Sequence, residues 1–138
     1  MYQVHHLDHV SLQTERPDEL VAFYVDVIGL QVGSRPGFRF PGAWLYCGSQ
    51  AVVHIIGVAT GMKTVPSEQR LRLEHFAFQA SGLAAFLARL EAHNVPHRDG
   101  VVRDVDTFQV NVNDPDGNHI HVDFKLGEAV TLGLASTE

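Results

Sequence analysis

Apolar and polar positions along the chain run through one succession of elements twice. The first opens with an alternating run, Leu7-Asp8-His9-Val10-Ser11-Leu12, and a period of two is that of a strand. Pro17-Asp18-Glu19-Leu20 comes next, followed by apolar Val21, Phe23, Tyr24, Val27 and Ile28. That spacing predicts a helix with proline and acids in its first turn, and Gly29 suits its stop. Runs at 30–34, 43–47 and 51–58 read as strands. The second succession opens with Leu73-Glu74-His75-Phe76-Ala77-Phe78. Ser81 is placed to cap a helix carrying Leu83, Phe86, Leu87 and Leu90 on one stripe, which Asn94 and Pro96 end. Strands are predicted at 97–102, 107–113 and 118–124, with turn chemistry at Gly48-Ser49 and Asp114-Pro115-Asp116-Gly117-Asn118. The stretch 59–70 has little periodicity and reads as a connector. The chain after Leu126 lacks a clear period and reads as a tail that is mobile or packs on a partner.

The two successions match residue by residue where histidine occurs. His9 and His75 stand 66 residues apart, each behind an acid and ahead of an apolar residue. His54 in Val53-His54-Ile55 and His121 in Ile120-His121-Val122 stand 67 apart, each between β-branched residues. Two pairs at nearly one period indicate an internal duplication. The expected architecture is α+β: one domain, 1–138, of two βαβββ modules at about 4–58 and 71–126. It should hold eight mostly antiparallel strands in two sheets around a cleft, with two main helices outside. Alternation puts Ile120, Val122 and Phe124 on one face of the last strand and His119, His121 and Asp123 on the other. Phe108, Val110 and Val112 likewise oppose Gln109, Asn111 and Asn113. One sheet face is apolar and the other polar. A pseudo-two-fold between the modules would bring His9, His54, His75 and His121 together, and imidazole is a good ligand for borderline divalent metals.

Composition narrows the partners. Of 138 residues 45% are apolar, as in a globular chain. Ten basic against sixteen acidic residues give a net charge of −6 and no basic stripe, which argues against nucleic acid. No run approaches a membrane span, the first residues lack a secretory pattern, and the single Cys47 cannot form an internal bridge. The expectation is a cytoplasmic protein. Cys47 is expected to be buried in its strand.

These motifs, with Ala22-Phe23-Tyr24, Ile28-Gly29-Leu30 and Asn113-Asp114-Pro115-Asp116-Gly117-Asn118, resemble the vicinal oxygen chelate superfamily over about 7–124. That group includes glyoxalase I, fosfomycin-resistance proteins, methylmalonyl-CoA epimerase and extradiol dioxygenases. The resemblance implies paired βαβββ modules around a divalent metal (zinc, nickel, cobalt, iron or manganese) and a homodimer. Its metal positions fall here on His9, His54, His75 and His121. The chain departs from the family in lacking glutamate at His121 and the glutamate or glutamine frequent at His54.

The function implied is a metal-dependent enzyme of glyoxalase or dioxygenase type, chelating a small, oxygen-bearing and anionic substrate. Lyase or isomerase chemistry is favoured. The alternatives are an extradiol-type ring-cleavage dioxygenase and a binding protein of the bleomycin-resistance kind. His9, His75 and His121 are the expected inner ligands, His54 a fourth ligand or base, and Asp123 a base or partner of a ligand. His119 shares the face of His121. Trp44, Tyr46, Phe38 and Phe40 are candidates for a substrate wall, and Arg39 and Arg103 for an anion contact. His5, His6, His93 and His97 are read as peripheral, and Asp114-Pro115-Asp116-Gly117 as a hairpin turn rather than a calcium loop.

Overall fold

Strand order follows from where the apolar alternation lies. The computed structural model describes residues 1–60 and 73–138, and the chain divides into two compact units, Met1–Arg70 and Leu71–Glu138. The expected connector 59–70 lies mostly outside the described residues.

In the first unit β1 (Val10–Thr14), β2 (Gln31–Gly33), β3 (Gly42–Cys47) and β4 (Gln50–Gly57) form a four-stranded sheet in the order β1-β4-β3-β2. β1 runs parallel to β4, and the other pairs are antiparallel. Leu12, Ala43, Leu45, Val53 and Ile55 fill its apolar face. Helix α1 (Pro17–Ala22) widens into a π-helical stretch, Phe23–Ile28, and buries Leu20, Phe23, Tyr24 and Val27. It stops at Gly29, whose positive φ of 99° only glycine adopts freely, and whose N–H reaches back five residues to the Tyr24 carbonyl.

The second unit repeats the plan. β5 (Phe76–Gln79), β6 (Arg98–Val102), β7 (Thr107–Asn113) and β8 (His119–Lys125) lie in the order β5-β8-β7-β6, again with one parallel pair. Phe108, Val110, Val112, Ile120, Val122 and Phe124 form the apolar face. Helix α2 (Leu83–Ala92) lays Leu83, Phe86 and Leu90 against it, with the Phe86 and Phe124 rings 5.6 Å apart. The two mixed four-stranded sheets with their helices are the α+β architecture the alternation predicts.

Four local expectations need correction. The opening strands start late, at Val10 and Phe76, so His9 and His75 stand one residue before their strands. In unit 1 the Gln50 amide takes over the missing ladder, donating to the Leu7 and Asp8 carbonyls. Cys47 is exposed rather than buried. It ends β3 at the Gly48–Ser49 turn, past a register shift at Leu45/Tyr46. The tail is partly helical: α3 (Leu126–Thr131) packs on β7, β8 and α2 and buries Ala129. Ser81 does not cap α2. The cap position is Gly82, and the Glu128 carboxylate from α3 accepts the N–H groups of Gly82 and Leu83 at 2.9 and 2.7 Å.

A side chain 46 residues away thus supplies what a local cap usually does. Glu128→Ala should cost about 1 kcal/mol, the usual worth of a cap, read as a lowered urea midpoint with unchanged slope. An unchanged midpoint would contradict the capping role.

Candidate metal centre

Pairing register decides which polar side chains meet. In unit 1 Trp44 stands opposite His54 across β3 and β4, while Ser11 of β1 pairs with His54 from the other side. His9, two residues before Ser11, reaches the same face. The imidazoles of His9 and His54 stack 3.8 Å apart at 11°, and Trp44 stacks on the far side of His54 at 4.1 Å and 12°. His54 is buried and His9 is partly exposed.

In unit 2 Asn111 holds the place of Trp44, opposite His121, and Ala77 pairs with His121 from β5. His75 lies two residues before Ala77. The rings of His75 and His121 are 4.5 Å apart and inclined at 43°. The His119 ring lies 5.3 Å from that of His75. His121 is buried and His75 partly exposed, matching the arrangement of His54 and His9.

Hydrogen bonds fix which ring nitrogen is free. His9 Nδ1 lies 2.6 Å from Asp8 Oδ2, His75 Nδ1 bonds Glu74 Oε2, and His121 Nδ1 lies 2.6 Å from Asp123 Oδ1. A carboxylate only accepts, so Nδ1–H donates in each case and Nε2 keeps the lone pair. The bond from His9, the largest influence, holds the Asp8 carboxyl below its ordinary range. Bonds from His75 and then His119 do the same for Glu74. Glu74 Oε1 also lies 2.8 Å from His119 Nδ1, and His119 Nε2 is 2.8 Å from Asn111 Oδ1. His54 is wired differently. Its Nε2–H donates to the Ala51 carbonyl at 3.1 Å, leaving Nδ1 as the free nitrogen. Burial, and then the charge of neighbouring His9, push His54 below the ordinary histidine value.

The donors suit a divalent ion. Among the described residues, ligand atoms of Glu74, His75 and His119, all in unit 2, lie within 4.8 Å of one another, a Glu/His/His set that shares only His75 with the four histidines the sequence singled out. An ion about 2 Å from each nitrogen at a tetrahedral angle would put neighbouring ring centres roughly 5 Å apart, near the 4.5 Å between His75 and His121. The parallel rings of His9 and His54 have no common in-plane point.

Of the sequence candidates, His9 and His54 are adjacent within unit 1, and His75 and His121 within unit 2. Asp123 bonds His121. His93 ends α2, and His97 pairs with Asp99, apart from both clusters. Sequence reasoning gave no role to Asp8 and Glu74. The acid before each histidine stood in the repeat and was the signal for both.

A family model described as the Glyoxalase/Bleomycin resistance protein/Dioxygenase superfamily matches residues 6–122. The chain belongs to this superfamily. Among its relatives, Glyoxylase I 4 of Arabidopsis thaliana is 27% identical over 121 residues, covering 84% of this chain and 68% of the relative. A putative glyoxalase family protein from Bacillus anthracis has a TM-score of 0.70 at 26% identity, covering 91% of this chain and 98% of that one. The lactoylglutathione lyase of Agrobacterium tumefaciens has a TM-score of 0.60 at 25% identity, covering 84% and 90%. Members of the superfamily bind small molecules, typically with a divalent metal. Among the described residues no helix is long and apolar enough to cross a membrane.

The wiring of His54 carries a pH dependence. With its folded value below about 6.5, the unfolded chain takes up this proton first as pH falls. The contribution of His54 to stability is therefore present above pH ~6.5 and lost below it. NMR titration of the metal-free protein should place His54 below 6.5. A value at or above 6.5 would contradict the burial argument.

Proposed function

We propose that the chain is a metal-dependent enzyme of the lyase or isomerase kind, acting on a small substrate through two neighbouring oxygens. The reading rests above all on one observation: His9, His75 and His121 each give Nδ1–H to a carboxylate and keep Nε2 free. That wiring orients a ligating imidazole and raises its basicity. Nε2 of these three residues would hold a zinc, nickel, cobalt, iron or manganese ion. Imidazoles favour such metals over magnesium and calcium, which want oxygen ligands. Asp8, Glu74 and Asp123 would offset the ion's charge from the outer side of the rings. The metal supplies Lewis acidity, stabilising negative charge that develops on a bound carbonyl oxygen.

The chain's own residues supply the proton chemistry. His54 was a candidate both as ligand and as base, and its stacking parallel to His9 favours the base. The Ala51 carbonyl fixes its tautomer with Nδ1 open. Its lowered proton affinity keeps it neutral near pH 7. A neutral imidazole can take a proton from a carbon beside a carbonyl and return it to the neighbouring carbon. Trp44 and the Ala51 carbonyl hold the ring in place during both transfers. Asp123 positions His121 in this reading and does not itself move a proton. A cytoplasmic homodimer completes the proposal.

The metal reading is tested by elemental analysis of untagged protein. Wild type should carry about one ion per chain and His75→Ala almost none, while His93→Ala should match wild type. Glu74→Gln should weaken metal affinity about 10- to 100-fold, the usual effect of losing such a partner. A full equivalent of metal in His75→Ala would contradict the assignment. Turnover that stops without oxygen would replace the isomerase reading with the dioxygenase one.

A further inference from the structure

We infer that unit 1 carries a stacking subsite for a planar aromatic group, which makes the substrate an aryl-bearing compound rather than a purely aliphatic one. The inference rests on the proposed function for the oxygen-binding half of the substrate and adds the identity of the other half.

The observation is an asymmetry between the two copies of one module. The residue opposite the central histidine is Trp44 in unit 1 and Asn111 in unit 2. Two residues further along the strand these become Tyr46 and Asn113. The second copy shows that this sheet face does not need aromatic rings to fold. In unit 1 Trp44 and Tyr46 line a cavity of about 520 Å³ together with His9, His54, Ser49 and Gln50. The Tyr46 hydroxyl donates to the Ser34 carbonyl at 2.6 Å, so Tyr46 offers its ring and not its oxygen. The Gln50 amide is engaged with the Leu7 and Asp8 carbonyls. One face of Trp44 is stacked on His54.

A second aromatic pair lies beside Trp44, outside the lining of this cavity. Phe38 and Phe40 stack 4.9 Å apart, and Phe38 lies 6.4 Å from Trp44. They are 44% and 40% exposed. The loop is held in place. Arg35 lies 5.2 Å from both rings and donates to the Phe40 and Gly42 carbonyls. Two exposed phenylalanines fixed beside a tryptophan give a surface whose natural occupant is another ring.

The chain holds one tryptophan, Trp44, so its fluorescence reports on this subsite alone. Zinc-loaded protein should be titrated with mandelate and lactate, which share the α-hydroxycarboxylate and differ by phenyl against methyl. Mandelate should quench Trp44 and bind roughly tenfold tighter by calorimetry, as expected for added aromatic contacts. Phe38→Ala, an exposed change that retains the reporter, should erase most of that preference, as should Trp44→Leu. Equal, chelator-sensitive binding of both acids would overturn the aromatic subsite while leaving the metal reading intact. Preference for mandelate that survives chelator would keep the subsite and remove the metal reading. Absence of quenching at millimolar mandelate would overturn the inference.

Discussion

An imidazole binds a metal only through a nitrogen free of its proton, and a free ring exchanges that proton between two positions. The hydrogen bond from Nδ1 to a fixed carboxylate ends the exchange. In this chain Asp8, Glu74 and Asp123 accept that bond from His9, His75 and His121, which leaves Nε2 as the free nitrogen of each; the proposed ligand role follows from it. The same bonds bear on the lack of glutamate at His121. Negative charge is present, one bond further out. His54 lies outside this scheme because a backbone carbonyl holds it, and a carbonyl leaves the ring less basic than a carboxylate would.

These bonds depend in turn on strand register. His54 and His121 occupy the middle of β4 and β8, where the parallel neighbour and the antiparallel neighbour both present side chains on the same face. A slip of one residue would send each histidine into the helix-covered core. Leu45, Val53 and Ile55 in one unit, and Val110, Val112 and Ile120 in the other, are almost wholly buried. Their burial makes such a slip expensive, so the hydrophobic face maintains the chemical one.

Much of this was legible in the sequence because duplication prints the same pattern twice. The strand alternation around His121 and the helical spacing from Leu20 to Val27 are local and survive in one dimension. What escaped was non-local or a matter of hydrogen bonding. Glu128 caps a helix 46 residues earlier, and no pattern near Ser81 announces it. Helix α3 is too short for its period to stand out. The parallel stacking of His9 on His54 comes from side-chain rotation about neighbouring strands. The Asp8 and Glu74 roles were half visible: the acid repeated with the histidine, but only the hydrogen bond gives it a task.

The central proposal is that imidazoles wired alike through Nδ1 hold the ion. X-ray absorption at the metal edge of the zinc- or cobalt-loaded protein counts them directly, because outer-shell scattering from imidazole rings differs from that of carboxylate or water. The account predicts three imidazoles per ion, reduced to two in His9→Ala. One imidazole per ion, or a first shell made chiefly of oxygen, would contradict it.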